Sequence, residues 1–221
     1  MLLPGREKWC QAGYTLVELM VAVALTGIVT VAIYKGYVSV STGYDVQDQL
    51  VEVHQSARVG IDRMVREIRM AGYDPTDTGT AGIDASSTSQ QIVFSLYDDD
   101  AAAMSFISYR LGAGAAGSTD LQRQEGASVG AGTWQSVIAN VDALNFVYRD
   151  VGGTAVAPEV ALGVEVGIVV RTSNEDYGYT DTRTYVNQAG TTILAPADYV
   201  AAKNFRRRLL NATIACRNLG M

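Results

Sequence analysis

The chain has 221 residues, 48% of them hydrophobic and 18% charged, and its 17 basic against 23 acidic side chains leave a net charge of −6. That balance argues against general nucleic-acid binding, which needs a cationic surface to displace counterions from phosphates. Two cysteines, Cys10 and Cys216, make no disulfide framework, so a hydrophobic core must hold the fold, and a chain of this length can bury one.

The first thirteen residues carry Arg6, Glu7 and Lys8. From Tyr14 to Ile33 the chain is apolar, and its only ionisable group apart from the tyrosine phenol is Glu18. A helix of that length spans about 30 Å, the thickness of a bilayer's hydrocarbon core. The positive-inside tendency of Arg6 and Lys8 places residue 1 in the cytoplasm and the rest outside. No small-residue cleavage pattern follows at Ile33-Tyr34-Lys35-Gly36, so the segment is expected to remain as an anchor. A lipoprotein reading of Cys10 fails, because the apolar run follows that cysteine instead of preceding it.

A carboxylate near the start of a membrane helix costs up to about 3 kcal/mol and marks a function that needs a cation. Were the chain cut between Gly13 and Tyr14, a neighbouring subunit's new α-amino group could pair with Glu18 in the same low-dielectric layer. The plainer alternative is that Glu18 snorkels to the interface.

The string Gly13-Tyr14-Thr15-Leu16-Val17-Glu18 resembles the class III leader junction of type IV pilins and type II secretion pseudopilins. The resemblance implies that a prepilin peptidase cuts after Gly13, that Tyr14 becomes the methylated first residue, and that Glu18 is the filament-docking carboxylate. Tyr14 departs from the phenylalanine usual at that place. Cleavage there leaves 15 basic and 22 acidic residues, a net charge of −7. The implied organisation is a leader over 1–13, a transmembrane and filament-core helix over 14–34, an amphipathic helix over 35–72 and a β-rich head over 73–221.

The amphipathic stretch shows Val46, Leu50, Val53, Ala57, Ile61, Met64, Ile68 and Ala71 at steps of three or four, one face of a helix. Asp48, Glu52, Arg58, Asp62, Arg66 and Glu67 are expected on the wet faces. Gly72 and Pro75 signal the stop. With Tyr34 to Tyr44 as the join, residues 14–71 make a nearly continuous helix whose weak points are Gly36 and Gly43.

Past residue 73 the period becomes two: Ile92, Phe94 and Leu96; Leu144, Phe146 and Tyr148; and Val160, Leu162, Val164, Val166, Ile168 and Val170. Further strands are expected over 104–110, 119–124, 133–138, 182–187 and 208–216, separated by turn-forming Gly, Asp, Asn and Ser clusters. The fold class is α+β, a long N-terminal helix packed on a C-terminal antiparallel β-sheet head.

Arg69-Met70-Ala71-Gly72-Tyr73-Asp74-Pro75 and Arg217-Asn218-Leu219-Gly220 resemble PilW-type minor pilins, related in the head to J-type pseudopilins of type II secretion. The implied role is pilus assembly and initiation near the filament tip. The implied partners are the major pilin, other minor pilins, the prepilin peptidase, the inner-membrane assembly platform and a large tip adhesin. The chain would wait in the inner membrane with its head in the periplasm, then move to the extracellular pilus.

No catalytic site, metal or cofactor is expected. Asp98-Asp99-Asp100 lacks the alternating carboxylates and the glycine of an EF-hand loop and reads as a solvated turn, as does Asn174-Glu175-Asp176. Arg206-Arg207-Arg208 could touch DNA or an anionic surface, but at the start of a strand it reads as a solvated or ion-paired edge. His54, the only histidine, has no second ligand or triad partner in view. Trp134 and the tyrosines read as packing. Three classes remain open: minor pilin, pseudopilin, and singly anchored periplasmic enzyme or receptor.

Overall fold

The computed structural model describes residues 13–76, 81–114, 117–199 and 203–219. The expected leader, apart from Gly13, and with it Cys10, Arg6 and Lys8, lies outside the described residues, as does Gly220 of the C-terminal string. The chain divides into two compact units, one up to Gln47 and one from Asp48. A single helix, α1 (Leu16–Arg69), contributes to both.

In the first unit α1 starts at a threonine cap. Thr15 Oγ1 accepts the Glu18 amide at 3.2 Å and its carbonyl accepts the Leu19 amide at 3.1 Å, which satisfies donors that a helix start leaves orphaned. Every residue from 16 to 40 is exposed. The threonines of this apolar stretch turn their hydroxyls back onto the helix: Thr26 donates to the Ala22 carbonyl and Thr30 to that of Thr26, both at 2.8 Å. The helix runs through Gly36 and Gly43 without a break, as the expected near-continuity requires.

In the second unit α1 buries Val53, Ala57, Gly60, Ile61, Met64 and Ile68, with Ala71 just beyond its end. That is the expected face from Val53 onward, with Val46 and Leu50 only half-buried and Gly60 added where Ile138 comes close. The helix stops because Gly72 adopts φ +84°, a left-handed conformation in which a Cβ would also collide with Leu219.

The head's strands are antiparallel throughout. β1 (Gln91–Asp98), β2 (Ala103–Ala113), β3 (Thr119–Gly126) and β4 (Gln135–Ile138) form one sheet in that order. In a second sheet β6 (Gly163–Arg171) is central, paired with β5 (Val141–Arg149) on one side and β9 (Arg207–Ala215) on the other, and β7 (Tyr185–Val186) pairs with β8 (Thr192–Leu194) in a two-stranded ribbon. Inward residues of both larger sheets, among them Ile92, Phe94, Tyr109, Leu121, Phe146, Val166 and Ile214, share one core with the buried face of α1. A smaller cluster of Ala143, Val169, Tyr185 and Leu194 seats the ribbon.

Two strand expectations need correcting. Val160 and Leu162 are not in a strand: Pro158, which has no amide to give a ladder, opens a 3-10 turn over Pro158–Val160, Val160 is left exposed, and β6 starts only at Gly163. The expected strand over 182–187 shrinks to Tyr185–Val186, and its partner β8, three residues long, shows no period to read.

Candidate functional site

The stem presents its chemistry in one turn. Gly13 and Tyr14 lie outside the helix and are exposed, so the peptide bond joining them can be reached without breaking a helical hydrogen bond. Glu18 sits three residues after the cap in the T-x-x-E arrangement of a capping box. Its carboxylate meets no side-chain partner among the described residues. The structure therefore brings Gly13, Tyr14 and Glu18 together at the tip of an apolar helix that the chain itself does not cover, and the carboxylate is left open to a cation from elsewhere. Among the described residues one helix is long and apolar enough to cross a membrane, and its most apolar stretch has no buried residue.

The head carries two charged clusters that the sequence did not announce. Glu67 is not on a wet face. It turns toward the sheet, where its carboxylate accepts from Tyr109 Oη at 2.6 Å, Arg123 Nε at 2.8 Å and Arg63 Nε at 3.0 Å. Burial pushes the Glu67 carboxyl up, but the bonds from Arg123, Tyr109 and Arg63 outweigh it and hold the group below the usual range. Burial, with the neighbouring carboxylate, drives the Tyr109 phenol well above its ordinary value.

The second cluster pins the excursion between β6 and β9. Arg207 is wholly buried, bonded through Nε to Asp142 Oδ2 at 2.6 Å, while Arg171 takes the other oxygen of Asp142 at 3.0 Å. Asp181, also buried, accepts from the Tyr185 hydroxyl at 2.8 Å and from Arg183 at 3.1 Å. Burial opposes ionisation of Asp181, yet Tyr185 and Arg183 bring its carboxyl below the usual range.

Of the Arg206–Arg208 run, Arg206 pairs with Asp176 at 2.7 Å, Arg207 is interior and Arg208 alone is exposed, so the run is no continuous cationic surface. Asp98 Oδ1 caps the turn after β1 by accepting the amide of Asp100 at 3.0 Å. Asp176 and Glu175 tie their loop to Arg206 and Asn204. His54 is exposed on α1, and Arg110 stacks on the Trp134 ring at 3.9 Å. Among the described residues no group of three or more His, Cys, Asp or Glu is placed to hold a metal. Cys216 is a buried free thiol whose pKa burial pushes up to about 11.

Nothing in the sequence pairs Glu67 with Arg123, 56 residues apart; the one signal is that Glu67 adjoins the buried Ile68 at the border of the apolar stripe.

Residues 10–34 match the model of the prokaryotic N-terminal methylation motif. The fold is similar to that of a type IV-like pilin from Thermus thermophilus, with a TM-score of 0.52 and 12% identity over 77% of this chain and 100% of that one. Among curated proteins none matches.

Proposed function

From a chain that carries a prepilin-type methylation motif and has a type IV-like pilin fold, we propose a minor pilin of a type IV pilus that acts in filament assembly and initiation near the tip. The observation that carries the reading is the apolar stem: residues 16–40 stay exposed, and their one carboxylate, Glu18, stands four residues past the exposed Gly13–Tyr14 bond. Such a surface needs either lipid or other stems around it.

In this reading prepilin peptidase cuts after Gly13 and the Tyr14 amine is methylated. The inner-membrane platform then moves the stem from lipid into a bundle of major and minor pilin stems, and Glu18 pairs with a neighbour's terminal amine to set axial register. The head, beside a tip adhesin, faces outward.

The test is an immunoblot of sheared surface filaments with filament counts on cells lacking the protein. Minor amounts in the filament and loss of filaments without it are expected; normal filaments with failed exoprotein release would assign the chain to type II secretion instead. Glu18→Gln sharpens the test. If Glu18 serves only as a cap, glutamine can replace it, whereas charge pairing with an amine is lost with glutamine and alanine alike.

A further inference from the structure

A half-open cavity of about 390 Å³ lies in the head where α1 faces β3 and the entry to β4, lined by Arg63, Arg123, Glu125, Thr133 and Gln135. Its wall is almost wholly polar, which rules out an apolar anchor. Arg123 is nine-tenths buried and held from two sides, by Glu67 through Nε at 2.8 Å and by Glu125 through Nη2 at 2.7 Å. Arg63 reaches Glu67 through Nε alone, at 3.0 Å.

The cluster holds more donors than its two carboxylates can meet. Glu67 is taken by two guanidinium Nε groups and the Tyr109 hydroxyl, and Glu125 by Arg123 and the Ser105 hydroxyl at 3.3 Å. Arg123 Nη1 and both terminal nitrogens of Arg63 are left without an acceptor among the described residues. A guanidinium edge matches a planar carboxylate in shape and charge, and Thr133 and Gln135 add a hydroxyl and an amide beside it. Glu67 and Glu125 balance the two arginines formally, so the unused N–H donors and not a net charge select the ligand, and the same carboxylates repel a single carboxylate less than a phosphate dianion.

We propose that this cavity seats a single carboxylate, presented by an acidic side chain of an adjoining protein subunit. The carboxylate site stands on the head's geometry alone; a neighbouring subunit as its donor rests on the filament reading above.

The test has two arms. Full-length protein in detergent is titrated with sodium acetate while the arginine side-chain NMR signals are followed, with sodium chloride at equal ionic strength as control. Saturable shifts of Arg63 and Arg123 with acetate alone are expected, and Arg63→Gln, at an exposed position where folding is spared, should weaken them roughly fivefold. Absence of a saturable shift overturns the site. In the second arm a photo-crosslinking residue replaces Gln135 in cells, and the expected adduct joins this head to an acidic segment of another subunit, diminished by Arg63→Glu. Acetate binding without any such adduct overturns the subunit as donor and assigns the cavity to a free carboxylate. Failure of the chain to enter filaments would instead sink the filament reading while leaving the first arm intact.

Discussion

Glu67→Gln tests whether the buried cluster, and not only the apolar stripe, holds helix and sheet together. Glutamine keeps the shape and one acceptor but removes the charge facing Arg123, whose side chain is 9% exposed. Breaking one side of a buried pair costs about 3–5 kcal/mol, and the 19% exposure of Glu67 and the remaining Arg123–Glu125 bridge bring the expected loss to about 2–4 kcal/mol. For a head of this size that is a fall of about 5–15 °C in Tm. The assay is thermal unfolding by near-ultraviolet circular dichroism of the full chain in detergent, alongside Arg123→Gln and the double variant. A coupling of about 1–3 kcal/mol is expected between the two sites. Additive losses, or a Tm unchanged in Glu67→Gln, would refute the reasoning and return the stability to the apolar stripe.

The pH dependence follows from the same group. Glu67 is held below its unfolded pKa, so its contribution is present in full above the unfolded carboxyl range, about 4.3, and is lost as pH falls through the folded value. Wild-type and Glu67→Gln melting temperatures should therefore differ by a constant amount near neutrality and converge in acid, in melts run from pH 7 to 3. Gly72→Val should lower the urea midpoint by an amount worth about 2–4 kcal/mol, since it combines a left-handed backbone with a collision at Leu219. In a Cys10→Ser background, Cys216 should resist a thiol reagent at pH 8 and react promptly once guanidinium unfolds the head, because its pKa near 11 and its burial both withhold the thiolate.

What could be read ahead of the structure was whatever repeats. The buried face of α1 and the alternation in β1, β5 and most of β6 follow from period alone, and Gly72 marked the stop. Val160 kept the alternation but sat two residues after Pro158, and the proline decided its backbone. β8 is too short to carry a period. The charged clusters were hidden because Glu67, Arg123, Asp142 and Arg207 meet only in three dimensions, and a charge on a periodic stripe reads as a wet face until its partner is seen. The residues proposed for the stem site could be singled out because they are contiguous, yet Thr15-x-x-Glu18 fits a helix cap as well as it fits the proposed docking carboxylate, and the response to glutamine separates the two.

The Glu67 cluster also answers a question that the apolar stripe leaves open. Ala57, Ile61, Met64 and Ile68 would meet the sheet almost as well if α1 slid by one turn, about 6 Å for four residues. A slide in one direction sets Arg63 in the place of Glu67, facing Arg123 with like charge. A slide in the other sets Ala71 there, stripping Arg123 and the Tyr109 hydroxyl of their acceptor, and drives Met64 into the space at Ile138 that only Gly60 fits. Either error costs on the order of 3 kcal/mol before packing is counted. Hydrophobic burial thus chooses the face of the helix, and Glu67 with Gly60 chooses its register, so the cavity between Arg63 and Arg123 is set in place by the same contacts that fix the head.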